Sequence, residues 1–313
     1  MTDTPASATG EQIEIRHGEQ RAGIVTLGAG LRAYCVGSRA VIDGYDRRQI
    51  ASSGRGQTLI PWPNRLRDGA YVFRGERYQL PLTEPERANA IHGLVRWEDW
   101  SVAERLPDRV SLEYTLHPQE GYPFALAITI EYELGAGGLT VRTSATNIGH
   151  RACPYGAGAH PYLTAGPGTI DGCRLHAPGR RWLKTDERMI PTGSAPVHGT
   201  RYDFRVGREI GTTVLDTGYT DLERDADGLA RVKLSGPDGG GSVTLWQDSR
   251  YQYLMLFTGD SLPDVSRRRG GLGVEPMTCA PNAFASGDGL LTLEPGERFT
   301  CSWGIEPDPR AAG

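Results

Sequence analysis

The feature that most constrains this chain is side-chain alternation with a period of two. In VSLEYTL, Val110, Leu112, Tyr114 and Leu116 share one face. In FALAITIEY, so do Phe124, Leu126, Ile128, Ile130 and Tyr132, with Ala, Thr and Glu between them. LTVRTSA, VTLW and LLTLEPGERFTCSW repeat the pattern. Successive side chains of a strand point to opposite faces, so each run describes a strand with one buried face. No segment holds a long apolar period of 3.6 residues. Clusters such as GAGG and GPDGGG separate the runs, in a chain with 42 Gly and 21 Pro. These signals predict an all-β protein of antiparallel strands in stacked sheets. No linker divides the middle, so the 313 residues read as a single domain spanning 11–306, with frayed tails at 1–10 and 307–313.

Composition narrows the functional classes. A net charge of -4 gives no electrostatic case for nucleic acid or an anionic membrane. No apolar run approaches the roughly 20 residues that span a bilayer, and MTDTPASATGEQIEI has neither the basic start nor the apolar stretch of a secretory signal. Cys35, Cys153, Cys173, Cys279 and Cys301 are odd in number and form no CxxC pair. That pattern argues against a disulfide framework or a zinc site, and a cytoplasmic location is expected.

Five stretches carry candidate chemistry. In PWPNRLRDGAYVF, prolines on both sides of Trp62 restrain the backbone before Asn64 and Arg65, and a guanidinium offers a rigid fork for hydroxyls. A bland role for Arg65 is bonding loop carbonyls. In NAIHGLVRWEDW, His92 sits at a strand end before Gly93, with Trp97 and Trp100 as a candidate apolar wall for a sugar ring. A buried histidine bonded to a carbonyl is the competing reading. In YGAGAHPYL, small residues precede His160, whose ordinary pKa near neutrality suits proton transfer in either direction. His117, His150, His176 and His198 have less constrained, more polar surroundings. In LDTGYTDLERDADG, Asp216 and Asp221 can each accept hydroxyl hydrogen bonds, whereas DADG reads as a solvated turn that lacks calcium-loop spacing.

The fifth stretch is GVEPMTCAPNAF. Glu275 lies between an apolar strand and Pro276, where partial desolvation raises a carboxyl pKa toward general-base values. The competing reading is a salt bridge to Arg267, Arg268 or Arg269. That arginine run is most simply a solvated loop, and secondarily a phosphate grip. No P-loop, dinucleotide fingerprint or nucleophile elbow is present.

The order of these elements resembles the aldose 1-epimerase (galactose mutarotase) family from about residue 20 to 306. The matching elements are Asn64-Arg65, His92-Gly93, His160-Pro161-Tyr162, an Asp ahead of an aromatic and Thr, FTGD, and Glu275-Pro-Met-Thr. The resemblance implies a large antiparallel β-supersandwich and cofactor-free interconversion of the α and β anomers of a free monosaccharide. It assigns the general base to Glu275 and the general acid to His160. Arg65 and His92, with Asn64 beside them, take positions that hold sugar hydroxyls. Asp216 is the expected sugar anchor and Asp221 the fallback. Met255 stands where family members often carry glutamine. A monomer or weak homodimer is expected. The rival readings are a sugar-phosphate epimerase gripping phosphate through Arg267–Arg269, and a carbohydrate-binding sandwich without turnover.

Overall fold

Alternation in the sequence becomes alternation in burial. The structure, a computed structural model, describes residues 7–237 and 241–308. In the strand Leu126–Gly135, every second residue from Leu126 to Leu134 is buried and those between are half-exposed. It pairs antiparallel with Arg109–Leu116 on one side and Gly138–Asn147 on the other. These strands lie in a nine-stranded sheet that continues through Arg298–Pro307, Ser242–Gln247 and Ala230–Ser235. A smaller sheet of four strands runs from Gln12–His17 to Arg39–Ala40.

The second large sheet has eight strands and behaves differently. Its order runs Pro191–Pro196, Gly179–Thr185, Asp216–Leu222, Tyr253–Phe257, Leu272–Met277, Gly158–Ala159 and Thr58–Leu59, with Tyr162–Leu163 also pairing Leu272–Met277. Its central strands are covered on both faces, so they read as nearly unbroken apolar runs. Leu254, Leu256, Leu272 and Val274 enter the main core, whereas Tyr253, Met255 and Met277 pack apart with Leu183 and Ala280. Two faces therefore do two jobs, and the second also carries Phe257 and Glu275. The expected all-β, single-domain sandwich is what forms. The described residues hold one short α-helix, Ala283–Ser286, whose Phe284 packs on Trp62 with ring centroids 5.4 Å apart.

Several expectations meet the structure here. DADG is a turn, with the Gly228 N–H donating to the Asp225 carbonyl at 2.9 Å. Most of the tail expected at 1–10 and at 307–313 lies outside the described residues. Within them, Thr9 is buried and its carbonyl accepts from the Leu27 N–H, and Pro307 closes a strand. All five cysteines are free. No helix among the described residues is long and apolar enough to cross a membrane. The arginine run is solvated only in part, Arg268 being exposed, and none of the three lines the cavity that holds Glu275; each guanidinium has an internal partner. Arg267 pairs with Asp43 at 2.7 Å, Arg268 donates to the Leu262 carbonyl at 2.8 Å, and Arg269 pairs with Asp171 and, at 2.8 Å, with Asp260.

Candidate active site

Sheet register gathers the site. The pairs Asp216↔Phe257 and Phe257↔Gly273 form one row across three strands, and Met255↔Glu275 occupies the next. Directly opposed residues on antiparallel strands project to the same face, so Asp216, Phe257 and Glu275 look out together. Gly158↔Met277 and Tyr162↔Gly273 set the register of the neighbouring segment, which places His160 opposite Glu275. The backbone of His160 bonds the other way, its carbonyl accepting from Gly56 N–H and its N–H donating to the Gln57 carbonyl. The backbone that carries the imidazole thus lies between the Glu275 strand and the turn that leads into Thr58–Leu59.

Asn64 and Arg65 arrive from a separate two-stranded ribbon, in which Arg65 faces Ile91. Asn64 and His92 both adopt left-handed backbone, at φ 56° and 66°, a conformation that Asn and His enter more readily than most residues. Gly93 follows because a Cβ there would lie 2.1 Å from the Ile60 carbonyl oxygen. The Asn64 N–H donates to His92 Nδ1 at 3.3 Å, which leaves the ring proton on Nε2. Asn282, at the end of the Glu275 stretch, braces this ribbon: its N–H donates to the Arg65 carbonyl and its Oδ1 accepts from the Arg67 N–H.

Asn64, Arg65, His92, His160, Asp216, Phe257 and Glu275 line one cavity of about 290 Å³, together with Ser53, Glu84 and Arg96. His160 Nε2 and Glu275 Oε1 are 3.3 Å apart, and both side chains are almost completely buried. Burial pushes the Glu275 carboxyl up to about 8, with the Asp216 charge adding to the effect and Arg65 opposing it. Burial, reinforced by the Arg55 charge, holds His160 down to about 3. At pH 7 the pair is therefore neutral, with the shared acid proton on the carboxyl side. Burial and neighbouring positive groups also keep His92 well below its ordinary value. Burial raises Asp216 against the pull of Arg65.

Arg65 is gripped by Glu84, whose two oxygens accept from Nε at 3.1 and 2.9 Å, and its Nη2 lies 3.8 Å from Asp216. Glu84 was not legible in TEPERANA, although a buried arginine at Arg65 demands such a partner. Arg96 was missed too. Among the described residues its guanidinium has no carboxylate partner, and burial lowers its pKa. Asp221 does not join the site: it is exposed, further along the Asp216 strand. Trp97 and Trp100 do not line the cavity. The first is exposed and the second is core, its indole donating to the Val95 carbonyl. Phe257 supplies the apolar wall instead. Met255 is buried beside Tyr253 and Met277, outside the cavity lining. No cluster of three His, Cys, Asp or Glu among the described residues is placed to hold a metal ion. What the arrangement offers is proton transfer beside a fixed cation.

Comparison with known proteins agrees in family and in fold. Residues 11–305 match the family model for aldose 1-epimerase. The protein YihR of Escherichia coli (strain K12), which is uncharacterized, is 35% identical over 298 residues, 95% of this chain and 93% of that one. Mouse galactose mutarotase is 28% identical over 229 residues, covering 66% of this chain and 64% of that protein. Among solved structures, a galactose mutarotase-like protein from Clostridium acetobutylicum superposes with a TM-score of 0.84 at 19% identity, covering 95% of each chain.

Proposed function

The chain belongs to the aldose 1-epimerase family, and from that premise we propose that it is a mutarotase of a free aldose, with His160 as acid and Glu275 as base. One observation carries the reading: an imidazole nitrogen and a carboxyl oxygen 3.3 Å apart in a sugar-sized cavity. Sugar hydroxyls bonded to Glu275 replace part of its lost solvation, and its proton passes to His160. The imidazolium then protonates the ring oxygen while Glu275 takes the proton of the anomeric hydroxyl. The C1–O5 bond breaks and C1=O1 forms. The pair is left as neutral imidazole and carboxylic acid, the state that burial already favours. Rotation about C1–C2 and the reverse transfers close the other anomer.

Arg65, fixed by Glu84, and His92, donating from Nε2, bind hydroxyls and the ring oxygen, while Asp216 accepts from a hydroxyl and Asn64 holds the Arg65 turn. Proton transfer of this kind contributes about 10²–10⁴-fold, and fixed placement of the sugar adds to it. Polarimetry on freshly dissolved α-glucose and α-galactose tests the proposal. His160→Asn and Glu275→Gln should each abolish acceleration, and a wild-type protein that leaves the spontaneous rate unchanged would make it a binding module.

A second reading has a single observation behind it. Arg96 brings a positive charge to the cavity wall with no carboxylate partner among the described residues, which favours an aldose bearing phosphate. A panel of free and phosphorylated aldoses decides: under this reading Arg96→Met raises KM for phosphorylated sugars alone.

A further inference from the structure

Behind the proposed acid lies a buried cation that the chemistry above does not use. Arg55 is only 1% exposed. Its guanidinium carbon sits 3.9 Å from the centroid of the Tyr162 ring. That ring also stacks on His160, with centroids 5.0 Å apart and planes 12° from parallel. Nη1 of Arg55 donates to Asp43 Oδ2 at 2.6 Å and to the Asp43 carbonyl at 2.8 Å, while Nε and Nη2 have no hydrogen-bond partner among the described residues. The Tyr162 hydroxyl donates to the Ser53 carbonyl at 2.9 Å, so one short loop holds both the ring and the cation. The same loop presses on the imidazole: a Cβ on Gly54 would lie 2.6 Å from His160 Cδ2.

Burying an arginine with two donor groups unbonded is costly. Asp43 is shared with Arg267, so its charge is divided between two cations and compensates Arg55 incompletely. The surplus positive charge lies one aromatic ring from His160. The other groups around that imidazole are Glu275, which touches it, His92, whose ring centroid is 5.4 Å away, and the charges of Arg65 and Arg96. Of the charged neighbours Arg55 acts most strongly on it.

We infer that Arg55 is a positioning residue for the acid–base pair: through Tyr162 it fixes the plane of the His160 ring, and its buried charge sharpens that ring as a proton donor. A cation beside an imidazole weakens its hold on a proton, and a weakly held proton is what a poorly basic ring oxygen requires. The role rests on the mutarotase reading, but its electrostatic half has a readout of its own. In wild-type protein labelled with ¹⁵N-histidine, the His160 signal, assigned by its loss in His160→Asn, should stay neutral down to the lowest pH the fold tolerates.

In Arg55→Met the His160 titration should move up by about one pH unit or more. The acid limb of kcat/KM should follow it, and kcat should fall about 10-fold with KM unchanged. Arg55→Lys keeps the charge, so its titration should stay with wild type and kcat should recover to within about threefold. An Arg55→Met titration that matches wild type overturns the inference. So does an Arg55→Lys titration raised into the ordinary histidine range, and that arm decides alone if the methionine variant does not fold. If wild type fails to accelerate mutarotation of any aldose, the enzyme assignment falls while the titrations still judge Arg55.

Discussion

Replacing Glu275 with glutamine should stabilise the protein while destroying the proposed mutarotase activity. The carboxyl sits near 8 in the folded chain against an ordinary 4.5. A raised folded value contributes stability that is fully present below 4.5 and lost as pH climbs toward 8, because the unfolded carboxyl ionises first. At pH 7 the unfolded group is about 2.5 pH units above its pKa, which at 1.36 kcal/mol per unit gives up to about 3 kcal/mol. Glutamine is neutral, nearly isosteric and immune to that loss. His160 contributes in the opposite sense, present above its ordinary 6.5 and lost as pH falls through about 3, but it is common to both proteins and cancels in the difference. Denaturant melts at pH 5 and 7 should therefore show the advantage of Glu275→Gln growing with pH, while polarimetry shows a loss of 10²-fold or more in kcat. A variant several kcal/mol less stable at pH 7 would mean that an ionised Glu275 paired with imidazolium had been broken, and the neutral-pair picture would be refuted.

Four further outcomes follow from the same geometry. Gly54→Ala puts a Cβ against His160 Cδ2 at φ +72°; we expect about 10²-fold loss of kcat from a displaced imidazole, with a cooperative thermal melt retained. Glu84→Gln removes the charge that holds Arg65, and should cost roughly 3–5 kcal/mol in denaturant melts. Met255→Gln should not improve sugar binding, because that side chain lies in an apolar cluster off the cavity; an unpaired amide there should cost about 1–3 kcal/mol with KM unchanged. Asp221→Asn should leave polarimetric rates at wild-type values, whereas Asp216→Asn should raise KM.

Local sequence determined the strands of the nine-stranded sheet, because period-two alternation leaves a half-buried sheet few alternatives. Leu126, Ile128, Ile130 and Tyr132 could be assigned to one buried face from spacing alone. His160, Glu275, Asn64, Arg65 and His92 were legible as candidates because neighbouring prolines and small residues restrain them locally and because their order resembles a family pattern. Asp216 was preferred to Asp221 on the family resemblance alone; what brings its side chain to the cavity is the register Asp216↔Phe257, since a slip along the strand carries a side chain away from the site. Glu84, Arg96 and Arg55 were invisible for one reason: what matters about each is a contact made across sheets. Burial acts the same way. Nothing in GVEPMTCAPNAF says how completely water is excluded from Glu275, yet that exclusion decides which member of the pair holds the proton.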